Sequence, residues 1–241
     1  MAAGMEQSMQ KTVVITGAAG HLGRAVAQAF GAAGYRRILV DLDEHALRDA
    51  YGGAGAAGTT FVGADLTDAN ACAALRAAVE ASDGVEVLCN IAGAFHYGAP
   101  VHETSAECWR RLVDLNALTL IHAAGAVVPS MQRARSGVVI NVGAAGHLSG
   151  KAHMGVYAAA KSAVARLTES MAEELRADNV RVFCAMPDII DTPANRRDMP
   201  EADTSAWTPP EAIARLMVLL ADPAAALLSG ASLPLRGRPA I

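Results

Sequence analysis

The sequence predicts a single α/β domain whose core is a doubly wound parallel sheet of seven strands. Short runs of apolar, mostly β-branched residues alternate along the chain with Ala-rich helical stretches, a pattern typical of parallel sheets covered by helices. No internal repeat and no linker-like composition interrupts the 241 residues. We therefore assign residues 11–241 to one domain and residues 1–10 to a flexible leader.

The composition argues against several classes of function. Hydrophobic residues make up 52% of the chain, which is enough for one well-buried domain. The net charge of −4 and the absence of a long basic run argue against a nucleic-acid partner. The N-terminus lacks a secretory signal pattern, and no uninterrupted apolar run reaches the length of a membrane span. Four scattered cysteines and seven histidines show no metal-ligand spacing, so we expect a cytoplasmic protein without a metal.

The first predicted strand, residues 13–15, leads into a Gly-rich turn and then into an Ala-rich helix that extends to about Ala33. Gly17, Gly20 and Gly23 in this turn suit a tight bend, a close approach to a pyrophosphate, and packing of the helix on the strand. A merely flexible turn is the alternative, but the position between strand and helix favours phosphate binding.

The second strand, residues 37–40, ends at Asp41. A carboxylate at this point accepts hydrogen bonds from both ribose hydroxyls of an adenosine and repels a 2′-phosphate, which favours NAD over NADP. The alternative role for Asp41 is an ordinary helix cap. Asp43 suits that role better.

Two further strands are predicted before the middle of the chain. Residues 59–63 form the third strand, followed by Asp65, which we expect near an adenine, and Asp68, which we expect to cap the next helix. The fourth strand, residues 85–89, leads into a second Gly-bearing turn with the sequence NIAG at 90–93. Ligands bind at this carboxyl edge in open parallel sheets.

A long helix is predicted from about Ser105 to Met131, with Asn116 on an otherwise apolar face. A buried asparagine must find hydrogen-bond partners. From the residue alone, a structural role in the helix and a role in an active-site water relay are equally plausible.

The stretch from Gly137 to Lys161 predicts a buried strand, a Gly-rich loop and a helix that opens with Tyr157. Residues four apart share a helix face, so Tyr157 and Lys161 point into one site. A lysine beside a tyrosine favours the phenolate and is expected to lower the tyrosine pKa, which makes Tyr157 a candidate proton donor or acceptor.

The C-terminal part contains a sixth strand at 180–186, a helix at 211–221 and a last strand at 231–235. Between them, residues 193–210 are polar and Pro-rich, and a long irregular segment of this kind is usually functional or disordered. Trp207 within it is either a lid over a flat substrate or an anchor for the loop. Arg196 and Arg197 either attract an anion or are simply solvated.

Taken in order, TGAAGHLG, Asp41, Asp65, NIAG, Asn116, YAAAK and PDIIDT at 187–192 resemble the short-chain dehydrogenase/reductase family over about residues 12–235. The resemblance implies a Rossmann-type fold, an NAD(P)-dependent oxidoreductase, and a homodimer or homotetramer with a small-molecule substrate. It implies Tyr157, Lys161 and Asn116 as catalytic residues. The implied cofactor-binding residues are Gly17, Gly20, His21, Leu22, Gly23, Asp41, Asp65, Leu66, Asn90, Ala92, Gly93, Tyr157, Lys161, Pro187, Ile190 and Thr192.

The sequence departs from the family pattern at three positions. His21 stands where the common turn has a glycine, and Asp188 replaces the usual glycine after Pro187. The catalytic serine of the family is expected about thirteen residues before Tyr157, and that position is Ala144. The loss of one such hydrogen-bond donor commonly costs ketone reduction about 3–4 kcal/mol of transition-state stabilisation.

The tail from Asp191 to Glu211 resembles the dihydropteridine reductases, which also carry alanine at the serine position. This resemblance implies NADH-dependent reduction of a quinonoid dihydropterin or a similar planar substrate, with Tyr157 as proton donor. Reduction of a ketone and a non-catalytic dinucleotide sensor are the alternatives. Four polar loop residues are candidates to replace the missing hydroxyl, and solvation on the loop is the favoured alternative for each of them; His153 is the most attractive candidate because it is nearest Tyr157. The other three are His147, Ser149 and Lys151.

Overall fold

The computed structural model describes residues 10–53, 57–145 and 149–237, so the predicted leader lies, apart from Gln10, outside the described residues. The described chain forms a parallel sheet in the order β3-β2-β1-β4-β5-β6-β7. This confirms the predicted seven-stranded α/β fold. The strands are β1 Thr12–Thr16, β2 Arg36–Asp41, β3 Thr59–Gly63, β4 Val87–Asn90, β5 Gly137–Val142, β6 Val180–Pro187 and β7 Ser232–Leu235.

Helices cover both faces of the sheet. Along β1, Val13 and Ile15 belong to one apolar core, which they share with α1 and α8, whereas Val14 belongs to a second core shared with α3 and α5. Successive side chains of a strand point to opposite faces, so the fully buried strand is apolar at every central position. The helices are α1 His21–Ala32, α2 Glu44–Ala50, α3 Ala73–Glu80, α4 Ala106–Val113, α5 Thr119–Ala134, α6 Gly155–Glu174, α7 Pro193–Asp198 and α8 Pro210–Ala221.

The strand order reverses between β1 and β4. From β1 the chain runs outward to β2 and β3, and it then crosses back to β4 on the other side of β1. The loops that follow β1 and β4 therefore diverge and leave a crevice at the carboxyl edge of the sheet. Ligands bind at such a switch point in open α/β sheets.

Two predicted helix caps have different outcomes. Asp43 caps α2, since its carboxylate accepts hydrogen bonds from the amides of His45 and Ala46. The prediction for Asp68 is wrong because α3 begins only at Ala73, after a turn that the Asp68 carboxylate stabilises through the amide of Asn70.

The predicted long helix consists of α4, a π-helical turn at Asp114–Leu118, and α5. By length and composition, Ala106–Ala134 is apolar enough to cross a membrane, and 56% of its most apolar window is buried inside the protein. Packing of α5 against the sheet accounts for that composition. The π turn contains Asn116 and directly precedes α5.

The segment 193–210, which we predicted to be irregular, contains α7 and a short 3₁₀ turn at Thr204–Ala206. Pro193 occupies the first turn of α7. A backbone N–H at this position has no partner within the helix, so its absence in proline costs no hydrogen bond. Trp207 is 6% exposed, so the anchor interpretation of this residue is confirmed.

The packing of α1 on the first turn predicts the effect of Gly23→Ala. A Cβ at Gly23 would lie 2.7 Å from the Ala18 Cα and closer still to the Gly17 carbonyl oxygen, so the backbone would have to move. We expect the free energy of unfolding to fall by about 1–3 kcal/mol, measured by denaturant titration.

Gly31→Ala in the same helix is the control. Its added Cβ meets the flexible end of the Arg37 side chain, and the gain in helix propensity, up to about 1 kcal/mol, offsets that contact. Equal losses in both variants would contradict the proposed close packing of Gly23.

Candidate active site

A cleft of about 1310 Å³ opens at the carboxyl edge of the sheet, where the strand order reverses. It receives residues from the loops after β1, β2, β3, β4, β5 and β6, and from the start of α6. Most of the predicted site residues line it. These are Gly17, Gly20, His21, Leu22, Gly23, Asp41, Asp65, Leu66, Ala92, Gly93, Tyr157, Lys161, Pro187, Ile190 and Thr192.

The first Gly-rich turn is fitted closely to the NIAG turn. Gly17 has a left-handed φ of 64°, and a Cβ there would lie 2.9 Å from the Ala92 amide nitrogen. Gly20 is the N-cap of α1 and offers no side chain, so the first amides of the helix are left for a ligand. An α-helix N-terminus without a cap suits the pyrophosphate of a dinucleotide.

Asp41 is fixed at the rim of the cleft. Its carboxylate accepts hydrogen bonds from the amides of Ala19, at 2.9 Å, and Leu42, at 2.8 Å. The carboxylate therefore has a set orientation beside the Gly-rich turn, as contact with a ribose requires. Asp65 lies further along the rim, where hydrogen bonds from the Thr67 hydroxyl and amide hold the pKa of its carboxyl below the usual value.

Asn90 lies beneath the cleft and does not line it. Its side-chain amide donates to the Asn141 Oδ1 at 2.9 Å, and Asn141 in turn donates to the Thr168 hydroxyl at 2.9 Å. This buried chain links β4, β5 and α6. The structure does not bring the Asn90 side chain to the cleft surface, where we expected it beside a ribose.

Asn116 also stays below the cleft surface. Its Nδ2 donates to the carbonyls of Leu112, at 2.9 Å, and Ala94, at 3.0 Å, while its Oδ1 accepts from the Ala94 amide at 3.2 Å. Both amide hydrogens are used in this way. Of the two roles left open by the sequence, the side chain fills the structural one: it clamps the loop after β4 to the π turn.

Tyr157 and Lys161 share one face of α6 and both reach the cleft. The Lys161 ammonium is buried and donates to the Val142 carbonyl at 2.9 Å. Burial lowers the pKa of Lys161 to about 8. Burial also raises the pKa of Tyr157 to about 12, which contradicts the expected lowering by Lys161. The cause is desolvation, which disfavours the charged phenolate, so Tyr157 is held protonated.

A family model described as short chain dehydrogenase matches residues 11–203. The chain belongs to the short-chain dehydrogenase/reductase family.

Similar proteins are found over nearly the whole chain. A cis-4-hydroxycyclohexanecarboxylate dehydrogenase of Sinomonas cyclohexanicum is 32% identical, over 96% of this chain and 97% of that protein. An inactive 2-(S)-hydroxypropyl-CoM dehydrogenase 2 of Xanthobacter autotrophicus is 31% identical, over 85% of this chain and 95% of that protein. The crystal structure of a family oxidoreductase from Burkholderia thailandensis matches with a TM-score of 0.83 and 30% identity, over 93% of this chain and 90% of that one.

The family's serine position is occupied by Ala144, which lines the cleft with no hydroxyl to offer. Of the four residues proposed to replace it, only Lys151 lines the cleft; Ser149 does not, and His147 lies outside the described residues.

The interpretation of His153 as a substrate ligand is wrong. Its ring donates through Nδ1 to the Gly98 carbonyl at 2.9 Å and packs on Tyr97, with the ring centroids 5.3 Å apart. Because a carbonyl can only accept, Nδ1 carries the hydrogen. His153 therefore holds the loop after β4 rather than a substrate.

Sequence reasoning missed one wall of the cleft. Phe95, Tyr97, Met154, Ile189 and Met199 line the part beyond Tyr157. The available signal was the aromatic pair that directly follows the NIAG turn, since a loop at the carboxyl edge of a parallel sheet carries ligand contacts.

The segment after β6 is held by its own polar groups. Thr192 caps α7 by accepting from the Asn195 amide, and the Asn195 side chain donates to the Ile190 carbonyl. Arg196 forms two hydrogen bonds to Asp191, at 2.6 and 2.8 Å, so its charge is already compensated. Across the described ranges, no group of three or more His, Cys, Asp or Glu residues is placed to hold a metal ion.

The burial of Lys161 predicts a dependence of stability on pH. Because its pKa falls from 10.5 to about 8, the folded protein binds fewer protons than the unfolded chain between these values. This residue therefore makes the free energy of unfolding rise as the pH increases across that interval.

Lys161→Met removes this contribution. We expect the wild-type free energy of unfolding, minus that of the variant, to increase from about pH 8 to about pH 10, measured by chemical denaturation. A difference that stays constant over this range would show that the ammonium is not desolvated in the fold.

Proposed function

We propose that the protein is an NADH-dependent reductase of a flat, conjugated substrate, with Tyr157 as proton donor. The observation that carries this proposal is that Tyr157 and Lys161 line one cleft, and that the serine position in the same cleft is Ala144. Bound NADH would supply the hydride. The Gly-rich turn would hold its pyrophosphate and Asp41 its adenosine ribose, and Lys161 would lie beside the nicotinamide ribose.

Ala144 favours a substrate that develops no alkoxide. A simple ketone gains negative charge on oxygen during hydride transfer, and two hydroxyl donors normally share that charge. In a conjugated imine the hydride adds to carbon and the nitrogen takes one proton, which the Tyr157 hydroxyl provides. A quinonoid dihydropterin is a substrate of this kind, and the resemblance of residues 191–211 to dihydropteridine reductases supports it.

Oxidation of a ring-bound secondary alcohol, or reduction of the matching ketone, is the second candidate. It is supported by the relative from Sinomonas cyclohexanicum, whose name describes a dehydrogenase of a hydroxycyclohexanecarboxylate. In this case a group other than the residue at position 144 would polarise the carbonyl.

A dinucleotide sensor without catalysis is the third candidate. It is supported by the similarity to the relative from Xanthobacter autotrophicus that is named inactive. Against it, the chain keeps both Tyr157 and Lys161, and binding alone makes no demand on a buried phenol held protonated.

The preference for NADH over NADPH rests on Asp41. Its carboxylate faces the rim where the ribose of a dinucleotide would lie, and a 2′-phosphate there would be repelled. The ratio of the dissociation constants for NADPH and NADH tests this part of the proposal.

We also propose a cytoplasmic homo-oligomer. The four cysteines are all free, as in a reducing compartment. Trp109 of α4 and Ile121 of α5 are each 47% exposed, and apolar side chains on neighbouring helices suit contact with a second copy. Light scattering of the purified protein measures the oligomeric state.

Tyr157→Phe tests the catalytic role directly. It removes the donated proton and keeps the ring that contacts Phe95 at a centroid distance of 5.0 Å. We expect NADH oxidation with quinonoid dihydropterin to fall by about 100-fold or more, with the dissociation constant of NADH unchanged.

Tyr35→Phe is the control, since it removes a phenol hydroxyl from a residue outside the cleft lining. The rate of NADH oxidation should be unchanged in this variant. If Tyr157→Phe keeps full activity on every substrate that the wild type reduces, then Tyr157 is not the proton donor.

Ala144→Ser separates the first two candidates. The new hydroxyl should raise the reduction of ring ketones by about tenfold or more and leave pterin reduction nearly unchanged, measured as kcat/KM. Ala145→Ser, one residue away and outside the cleft lining, is the control. A large gain in pterin reduction would mean that this substrate also needs an oxyanion donor.

A further inference from the structure

The part of the cleft beyond Tyr157 is lined by flat and flexible apolar side chains. Phe95 and Tyr97 are each 63% exposed there, although both are large aromatic residues. Exposed aromatic side chains gathered in a concave site commonly mark a ligand surface. Met154 and Met199 complete this surface, and a thioether adapts its shape to the ligand that it contacts.

This aromatic surface is held in place without a ligand. The Phe95 ring packs edge-on against Tyr157, and the Tyr97 ring packs against His153. Two hydrogen bonds connect Gly98 with His153, one through each backbone group of Gly98. A preformed flat surface favours a ring-shaped substrate because little side-chain freedom is lost on binding.

The cleft is also lined by charged side chains of both signs, which come from different segments of the chain. Lys151 lines the cleft from the loop before α6, whereas Asp188 and Asp198 line it from the segment after β6. Lys151 is exposed, and its side chain forms no ion pair or hydrogen bond with any residue that the structure describes. Lys161, the other lysine of the cleft, is buried and bonded to Val142.

We propose that Lys151 selects substrates whose ring carries an anionic group, such as a carboxylate. Asp188 and Asp198, which also line the cleft, would repel that group, so the ring would lie with its anion toward Lys151. This inference rests on the proposed function because it gives the substrate class of the same site. Apart from the reactive group itself, the class is a flat or cyclic compound with one carboxylate. A quinonoid dihydropterin carries no carboxylate, so it tests the reaction and not this preference.

Binding of benzoate and benzamide tests the inference without requiring turnover. The two rings have the same shape, and only benzoate carries a charge. Calorimetric titrations are made on the free protein and on its NADH complex, for the wild type, Lys151→Met and Lys151→Glu. We expect the wild type to bind benzoate about fivefold more tightly than benzamide, the preference that one partly exposed ion pair provides.

In Lys151→Met this preference should disappear while benzamide affinity stays unchanged, and in Lys151→Glu it should reverse. Lys11→Met is the matched control, since Lys11 precedes β1 at the opposite edge of the sheet. Added salt should reduce the wild-type preference by screening the charge.

Three results would overturn the inference: equal affinity for the two compounds in the wild type, a preference that persists in Lys151→Met, or no binding of either ring. The proposed reductase activity is judged separately by NADH oxidation in the wild type and Tyr157→Phe. Absence of NADH oxidation in the wild type, together with an intact benzoate preference, would reject the reaction and keep the anion site.

Discussion

The hydroxyl of Thr16 accepts hydrogen bonds from the backbone amides of Ile91 and Ala92, at 3.0 and 3.1 Å. This contact fastens the loop after β1 to the loop after β4 where the sheet reverses its order, and Gly17 allows the two backbones to meet. Asn116 holds the next part of the same loop from the helix side. The cleft keeps its shape because the loop is fixed from both directions.

Burial shifts the pKa of both reactive groups, Tyr157 and Lys161. Water is removed from the Lys161 ammonium and from much of the Tyr157 side chain, and desolvation disfavours the charged form of each. The phenol is therefore kept as an acid, and the ammonium depends on the Val142 carbonyl for its remaining stabilisation. Tyr157 therefore carries a proton that it could give to a substrate, but the raised pKa makes it a weaker acid than a solvent-exposed tyrosine.

The parts of the cleft formed by backbone and the parts formed by loop side chains differ in how much sequence change they tolerate. The backbone turns depend on glycines and buried hydrogen bonds that tolerate little change, since an added Cβ at Gly17 or Gly23 would contact backbone atoms. The proposed substrate contacts are side chains on loops, such as Phe95, Tyr97 and Lys151, which can be exchanged without moving the sheet. Membership of the family thus describes the fold and the backbone turns of the cleft, and the identity of the substrate depends on these loop side chains.

The sequence by itself determined the sheet and most of its helices, and most of the site residues that it predicted line the cleft. Buried β-branched runs, the glycine spacing of 17–23 and the pair Tyr157 and Lys161 are local patterns, and local patterns can be read along a chain. Only the tertiary structure decided which polar groups face the cleft. The Asn90 side chain donates to Asn141, the Asn116 side chain bonds to the backbone of Ala94 and Leu112, and His153 is turned toward Gly98. It also decided the pKa of Tyr157, because desolvation depends on everything packed around a group.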